Sequence, residues 1–149
     1  ILAAATMPMF GNYILEAKES AAKDNLRILR SAIEMYAAQH KDVPPGYKNG
    51  DTATIPEGTV AAAQLTKKTN ILGQYDSPGS PGYDYGPYLS EIPRNPFNKQ
   101  KTITASALTL FDNFTQAVGS GGWLYNTKTK NVYLNWNGTD KAGVKYLEY

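Results

Sequence analysis

An apolar stripe through one long helical stretch constrains this chain more than any other feature. Leu15, Ala22, Leu26, Leu29, Ile33 and Tyr36 follow one another at spacings of 7, 4, 3, 4 and 3, which stacks them on one face of an α-helix. Ile14, Ala17, Ala21, Ile28, Ala32 and Met35 widen that face on one flank. Glu16, Ser20, Lys23, Arg27, Arg30, Ser31 and Glu34 gather on the opposite side, and pairs such as Glu19 with Lys23 add i,i+4 support. The periodicity predicts a helix from Asn12 to His40. Pro44-Pro45-Gly46 ends it, because proline cannot continue a helix and turns the residue before it away from the α region. Carried back to Ile1, such a helix would be about 60 Å long. A compact domain of about 100 residues has a radius of gyration of only about 13 Å. The N-terminal half must therefore protrude or find a partner.

The opening itself, Ile1-Leu2-Ala3-Ala4-Ala5-Thr6-Met7-Pro8-Met9-Phe10, is apolar but shorter than the ~20 residues that span a bilayer. It has neither the basic flank nor the cleavage site of a signal peptide, and it reads as the continuation of a longer apolar helix. Beyond the helix, Asn49-Gly50-Asp51 is a turn signal, and Thr59 to Leu65 reads as a short helix with Thr59 as its N-cap. Residues 73–98 are rich in Gly, Pro and Tyr and predict an ordered, irregular loop. They lack a PxxP run long enough for a proline-rich ligand.

Gly122-Trp123-Leu124-Tyr125 and Asn131-Val132-Tyr133-Leu134-Asn135 flank the polar run Asn126 to Lys130, the pattern of a β-hairpin. Val144 to Tyr149 alternates and could add a strand. The expected fold is α+β, a long N-terminal amphipathic helix packed against a small C-terminal antiparallel β-sheet. Residues 1–20 would form the protruding half of the helix and residues 21–149 the globular domain. Its expected core is Leu26, Leu29, Ile33 and Tyr36 under Trp123 and Tyr133.

Composition excludes several kinds of chemistry. The 149 residues make about one domain. With no Cys there is no disulfide framework, thiol nucleophile or Cys-ligated zinc. One His rules out a His-rich metal centre, and a net charge of +2 offers no footprint for nucleic acid. A hydrophobic share of 42% beside 19% charged residues marks a folded chain.

The truncated apolar opening, the long amphipathic helix and the small C-terminal sheet, taken in that order, resemble the type IV pilin superfamily, most closely the major pseudopilins of type II secretion. Ala21-Ala22-Lys23-Asp24-Asn25-Leu26-Arg27-Ile28-Leu29-Arg30 looks like their helix, and Pro44-Pro45 stands where their helix ends. Gly86-Pro87-Tyr88-Leu89, Ile92-Pro93 and Asn95-Pro96-Phe97 are similar to their loop string, with Asn95 in place of a frequent Asp. Gly122-Trp123-Leu124-Tyr125-Asn126 resembles their closing hairpin. Residues 48–84 lie outside the likeness, and the Cys pair of many type IV pilins is missing.

The resemblance implies a non-catalytic subunit that polymerises into a helical filament, either a type IV pilus or a secretion pseudopilus. It would be extracellular or periplasmic, and held in the cytoplasmic membrane beforehand by an apolar segment ahead of Ile1, whose first residue the family methylates. Its partners would be identical copies and an inner-membrane assembly machinery. Ile1, Leu2, Met7, Pro8, Phe10, Gly11 and Ile14 would form the filament core, with Pro8 and Gly11 weakening the helix locally.

Against that structural reading stand sites of other kinds. His40, in the last helical turn, suits a capping role, and no nucleophile is marked for it. Asp76 and Asp84 are the one carboxylate pair worth weighing for glycoside hydrolysis, although Asp in such a loop is usually a turn former. Asn135, Asn137 and Asp140 offer oxygen ligands for calcium at spacings like part of a calcium loop, without its closing Glu. The resemblance also points to calcium in the C-terminal region, and a solvated turn is the other reading. Asn113-Phe114-Thr115 and Asn137-Gly138-Thr139 match the N-glycosylation triplet. Tyr75, Tyr83, Tyr85, Tyr88, Tyr125 and Tyr133 either form an adhesive or glycan-binding face, as in an adhesin or minor tip subunit, or bury their rings.

Overall fold

The computed structural model describes residues 3–75, 79–108 and 119–149, with side chains from Phe10 onward. Helix α1 runs over Ala3–Gln39 and is about 55 Å long, continuous through Pro8 and Gly11. It stops short of the prolines. Lys41 and Asp42 both adopt left-handed backbone conformations, and the Asp42 N–H donates back to the Ala37 carbonyl at 2.9 Å, which satisfies a carbonyl the helix end would leave free.

Helix α2 spans Gly58–Thr66. It begins one residue before the expected Thr59 cap, and no side chain caps it. Around α2 and on toward the sheet the described residues are largely irregular but tied down. Gln64, fully buried, accepts from the Gly46 N–H at 2.7 Å and donates to the carbonyls of Tyr47 and Gly73 at 3.0 and 2.8 Å. Thr69, also fully buried, exchanges backbone hydrogen bonds with Tyr85.

The sheet has three strands, β1 (Ile103–Ser106), β2 (Trp123–Asn126) and β3 (Asn131–Leu134), in that order. β2 and β3 are the expected antiparallel hairpin, but β1 pairs with β2 in parallel, so the sheet is mixed. The parallel strand was not expected from the sequence. A parallel pair needs a connection of a dozen or more residues, and residues 107–122 supply it. Val144 to Tyr149 is not a further strand. Thr139 bridges Lys145, and Tyr146–Glu148 closes into a single 3-10 turn.

The core lies between α1 and one face of the sheet. Leu26, Leu29, Ile33 and Tyr36 are buried there with Trp123, Tyr125, Val132 and Leu134, and α2 adds Ala61 and Leu65. The Trp123 indole N–H donates to the Pro93 carbonyl at 2.9 Å. Tyr133 is not part of this core. The hairpin sets Trp123 opposite Leu134 and Leu124 opposite Tyr133, so alternation sends Tyr133 to the other face. There it packs with Leu124 and Leu147.

Gly58 shows how closely α2 approaches β1. A Cβ at that position would lie 1.7 Å from the Ile103 carbonyl oxygen. Glycine is required at Gly58 by the neighbouring backbone, not by a left-handed φ.

Candidate functional site

The two flanks of α1 differ in chemistry, and among the described residues side chains from the C-terminal part make polar contacts with only one. Residues 130–149 reach the polar flank through individual side chains. Lys141 pairs with Glu16, and Lys130 pairs with Asp42 and, at 3.6 Å, with Glu34. The Tyr146 hydroxyl donates to Glu19 at 2.9 Å, and Lys23 Nζ lies 4.1 Å from the centre of the Tyr149 ring. Arg30, expected on the outer polar side, is drawn inward. Its guanidinium donates to the Val132 carbonyl at 2.7 Å and the Tyr149 carbonyl at 3.0 Å, and desolvation lowers its pKa.

The apolar flank is bare. Of Ile14, Ala17, Ala21, Ile28, Ala32 and Met35, only Ala32 is buried. Ile14 is 59% exposed, Ile28 48% and Met35 55%, and Phe10 continues the line at 67%. Ile14, Ala21, Ile28 and Met35 stand seven residues apart, the repeat that keeps an apolar seam facing a neighbouring helix. Beside its C-terminal end runs a groove of about 300 Å³ lined by Arg27, Ile28, Ala32, Met35, Tyr88 and Leu89. Exposed apolar residues spaced in this way are more than the scattered single ones a soluble surface ordinarily shows.

The N-terminal part of α1 extends past the body. Polar contacts to the body reach Glu16, Lys18 and Glu19, and full burial begins at Ala22. Of the residues assigned to the filament core, Ile1 and Leu2 lie outside the described residues, and Met7 and Pro8 are described as helical backbone alone. Phe10, Gly11 and Ile14 are exposed, and nothing stands within 4 Å of where a Gly11 Cβ would be. Among the described residues no helix is long and apolar enough to cross a membrane.

The other candidate sites resolve into structural roles. His40 is buried, stacked on Tyr36 with ring centroids 3.8 Å apart. Its Nδ1–H donates to the Tyr36 carbonyl at 2.7 Å, leaving Nε2 to face the Thr69 hydroxyl at 3.0 Å, a tautomer assigned from the partners available. The imidazole does cap a helix-end carbonyl, but neither it nor Thr69 is open to a substrate. Tyr85 and Tyr88 lean on the same ring, 5.1 and 6.4 Å away. Desolvation pushes the Tyr88 hydroxyl up to about 12. Of the six tyrosines weighed as an adhesive face, Tyr125 is buried and only Tyr75 is exposed. Asp84 is exposed, and Asp76 lies outside the described residues, as does Asn113-Phe114-Thr115.

The side-chain oxygens of Asn135, Asn137 and Asp140 each accept from a nearby donor of the chain itself. The Asn135 Oδ1 accepts from the Gly119 N–H at 3.2 Å and the Asn137 Oδ1 from the Gly138 N–H at 2.9 Å. The Asp140 Oδ1 accepts from the N–H groups of Ala142 and Val144, both at 2.9 Å, and Oδ2 from the Tyr149 hydroxyl at 2.8 Å. Desolvation pushes the Asp140 carboxyl up, and those hydrogen bonds outweigh it, holding the group below its ordinary value. The carboxylate serves as a turn anchor. Among the described residues no three His, Cys, Asp or Glu side chains gather as a metal site.

Sequence reasoning missed the groove of about 400 Å³ between α2 and β1, lined by Gly58, Thr59, Ala62, Ile92, Lys101 and Ile103 among others. Its titratable groups, Glu91 and Lys101, pair with each other, and the hydrogen bond from Lys101 holds the Glu91 carboxyl low. The unseen strand β1 builds one wall, so the sequence carried no signal for the groove. Set against known proteins, the chain matches no family model, no curated protein and no solved structure.

Proposed function

We propose that this chain is a non-catalytic structural subunit of a helical filament of the type IV pilus family, a pilus or a secretion pseudopilus. One observation carries the reading. The long helix keeps apolar residues exposed from Phe10 to Met35, while side chains of residues 130–149 reach across to the polar flank beside them. Copies packed along these residues remove them from water at about 25 cal/mol per Å². Where that strip of one copy meets a different face of the next and the rotation does not close, repetition gives an open filament. In this reading residues 1–20 belong to the filament interior and residues 21–149 to its coat. The precursor waits in the cytoplasmic membrane until an inner-membrane machinery assembles it.

Electron microscopy of fibres sheared from producing cells tests the proposal. Fibres built of this chain, lost when Phe10 and Ile14 are made polar, are the expected result. Normal fibres from that variant would remove the mechanism. A glycan array separates this reading from an adhesin acting through the Tyr-rich loop, which would give hits that depend on Tyr75.

A further inference from the structure

The sequence contains two Asn-Gly pairs, Asn49-Gly50 and Asn137-Gly138, and their surroundings differ in a way that bears on covalent chemistry. Asparagine before glycine can lose its side-chain amide. The backbone nitrogen of the glycine gives up its proton and attacks the asparagine Cγ, and ammonia leaves as a five-membered succinimide closes. Water then opens either C–N bond of the ring, leaving aspartate or isoaspartate. The step needs water and no other co-reactant. It does need the amide group near the following nitrogen, and that nitrogen unshielded.

At Asn137 both conditions hold. The residue and Gly138 are exposed. The Gly138 nitrogen lies 2.9 Å from the Oδ1 of the amide whose carbon it would attack, and Asn137 has no other hydrogen-bond partner among the described residues. Two further asparagines act as internal comparisons. Asn131 has nearly the same geometry, with the Val132 nitrogen 3.0 Å from its Oδ1. There, however, the nucleophile belongs to a buried, β-branched residue in a strand. Asn49 also precedes a glycine, but in the wrong arrangement. Its Oδ1 is held by the Gln74 side chain at 2.7 Å, and the Gly50 N–H turns toward the Tyr47 carbonyl at 3.4 Å.

We propose that Asn137 is a site of spontaneous, structure-selected deamidation, and that the fold protects Asn49. The consequence falls on the C-terminal clamp. The Gly138 carbonyl accepts the Tyr146 N–H at 3.1 Å, and Thr139 bridges Lys145. Isoaspartate inserts a methylene into the main chain directly before that pair and loosens the seat of Tyr146, whose hydroxyl reaches Glu19 of α1.

The test incubates the unglycosylated protein at mildly alkaline pH, folded and in denaturing urea, and follows all three asparagines by peptide-mapping mass spectrometry with isoaspartate detection. In the folded protein the Asn137 peptide should convert to a mixture of both acids. Asn49 should be slower by about tenfold or more, the factor implied by having to break the bond from Gln74 and the longer one to the Tyr47 carbonyl. In urea the rates at Asn49 and Asn137 should converge, with Asn131 still slow. Folded Asn49 converting as fast as folded Asn137 would overturn the proposal. So would folded Asn137 staying intact while its unfolded counterpart converts.

Discussion

Lys141, in the turn that follows the sheet, pairs with Glu16 of α1 across 125 residues of sequence. It is the outermost link of a clamp that continues through Tyr146 on Glu19, Tyr149 on Lys23 and the two carbonyls held by Arg30. The links are not equal in energy. Lys141 and Glu16 are each about half exposed, and exposed pairs contribute about 0–1 kcal/mol. Arg30 is half-buried and makes two charge-assisted bonds. Arg30→Ala should therefore destabilise by about 2–4 kcal/mol and Lys141→Ala by less than about 1 kcal/mol, read from urea unfolding. Equal losses would mean that the clamp is not centred on Arg30.

Neighbouring residues on α1 should separate folding from assembly. Leu29 is fully buried and Ile28 is 48% exposed. Leu29→Ala should lower monomer stability by ~2–5 kcal/mol. Ile28→Ser and Met35→Ser should leave it within about 0.5 kcal/mol while abolishing fibres on a negative-stain grid. If both exposed variants polymerise normally, the bare flank is not an assembly surface.

Gly58→Ala places a methyl against the Ile103 carbonyl and forces α2 off β1. A loss of about 1–3 kcal/mol or more is expected. Gly11→Ala meets nothing and should stabilise the helix by about 1 kcal/mol, seen as helicity retained to higher temperature.

Calcium should leave the melting temperature where it is. The Asp140 carboxylate already accepts three hydrogen bonds, and the side chains of Asn135 and Asn137 are engaged elsewhere. Melting curves in EDTA and in excess calcium should superimpose. A rise with calcium would reveal a site that the described residues do not form, since a ligand that binds only the folded state must stabilise it.

Alkaline pH should unfold the protein through its tyrosines. Burial pushes the Tyr88 and Tyr146 hydroxyls up to about 12 and raises Tyr36 and Tyr125 as well. An unfolded tyrosine titrates near 10. A folded pKa above the unfolded one gives stability that is complete below about pH 10 and drains away as pH rises through the folded values. Urea midpoints should hold level to about pH 10 and then fall, while tyrosinate absorbance shows part of the population titrating late. Level midpoints up to pH 12 would contradict this.

The helix was legible because 3.6-residue periodicity needs no knowledge of the partner, and Leu26, Leu29, Ile33 and Tyr36 are buried together. The hairpin was legible from its polar turn, but its register was not. Pairing Asn126 with Asn131 decides which residues face the core, so Trp123 faces α1 and Tyr133 does not. β1 is only four residues, partly buried or exposed throughout, and pairs in parallel across residues 107–122. No local pattern announces such a partner. Arg30 reads as a surface charge in any helical projection. It is drawn inward by carbonyls at positions 132 and 149, far along the chain.

The clamp also sets a timetable for folding. Helix α1 is synthesised before the sheet, yet groups that pair with its polar flank lie in residues 130–149. During synthesis, at about 5–20 residues per second, the helix stays half-dressed for several seconds, its core stripe exposed and its charges unmatched. The body cannot close until residues 130–149 have emerged, because the contacts that close it are far apart in sequence and are the slowest kind to form. The exposed flank is under no such schedule, since Ile14, Ala21, Ile28 and Met35 stay exposed in the closed body.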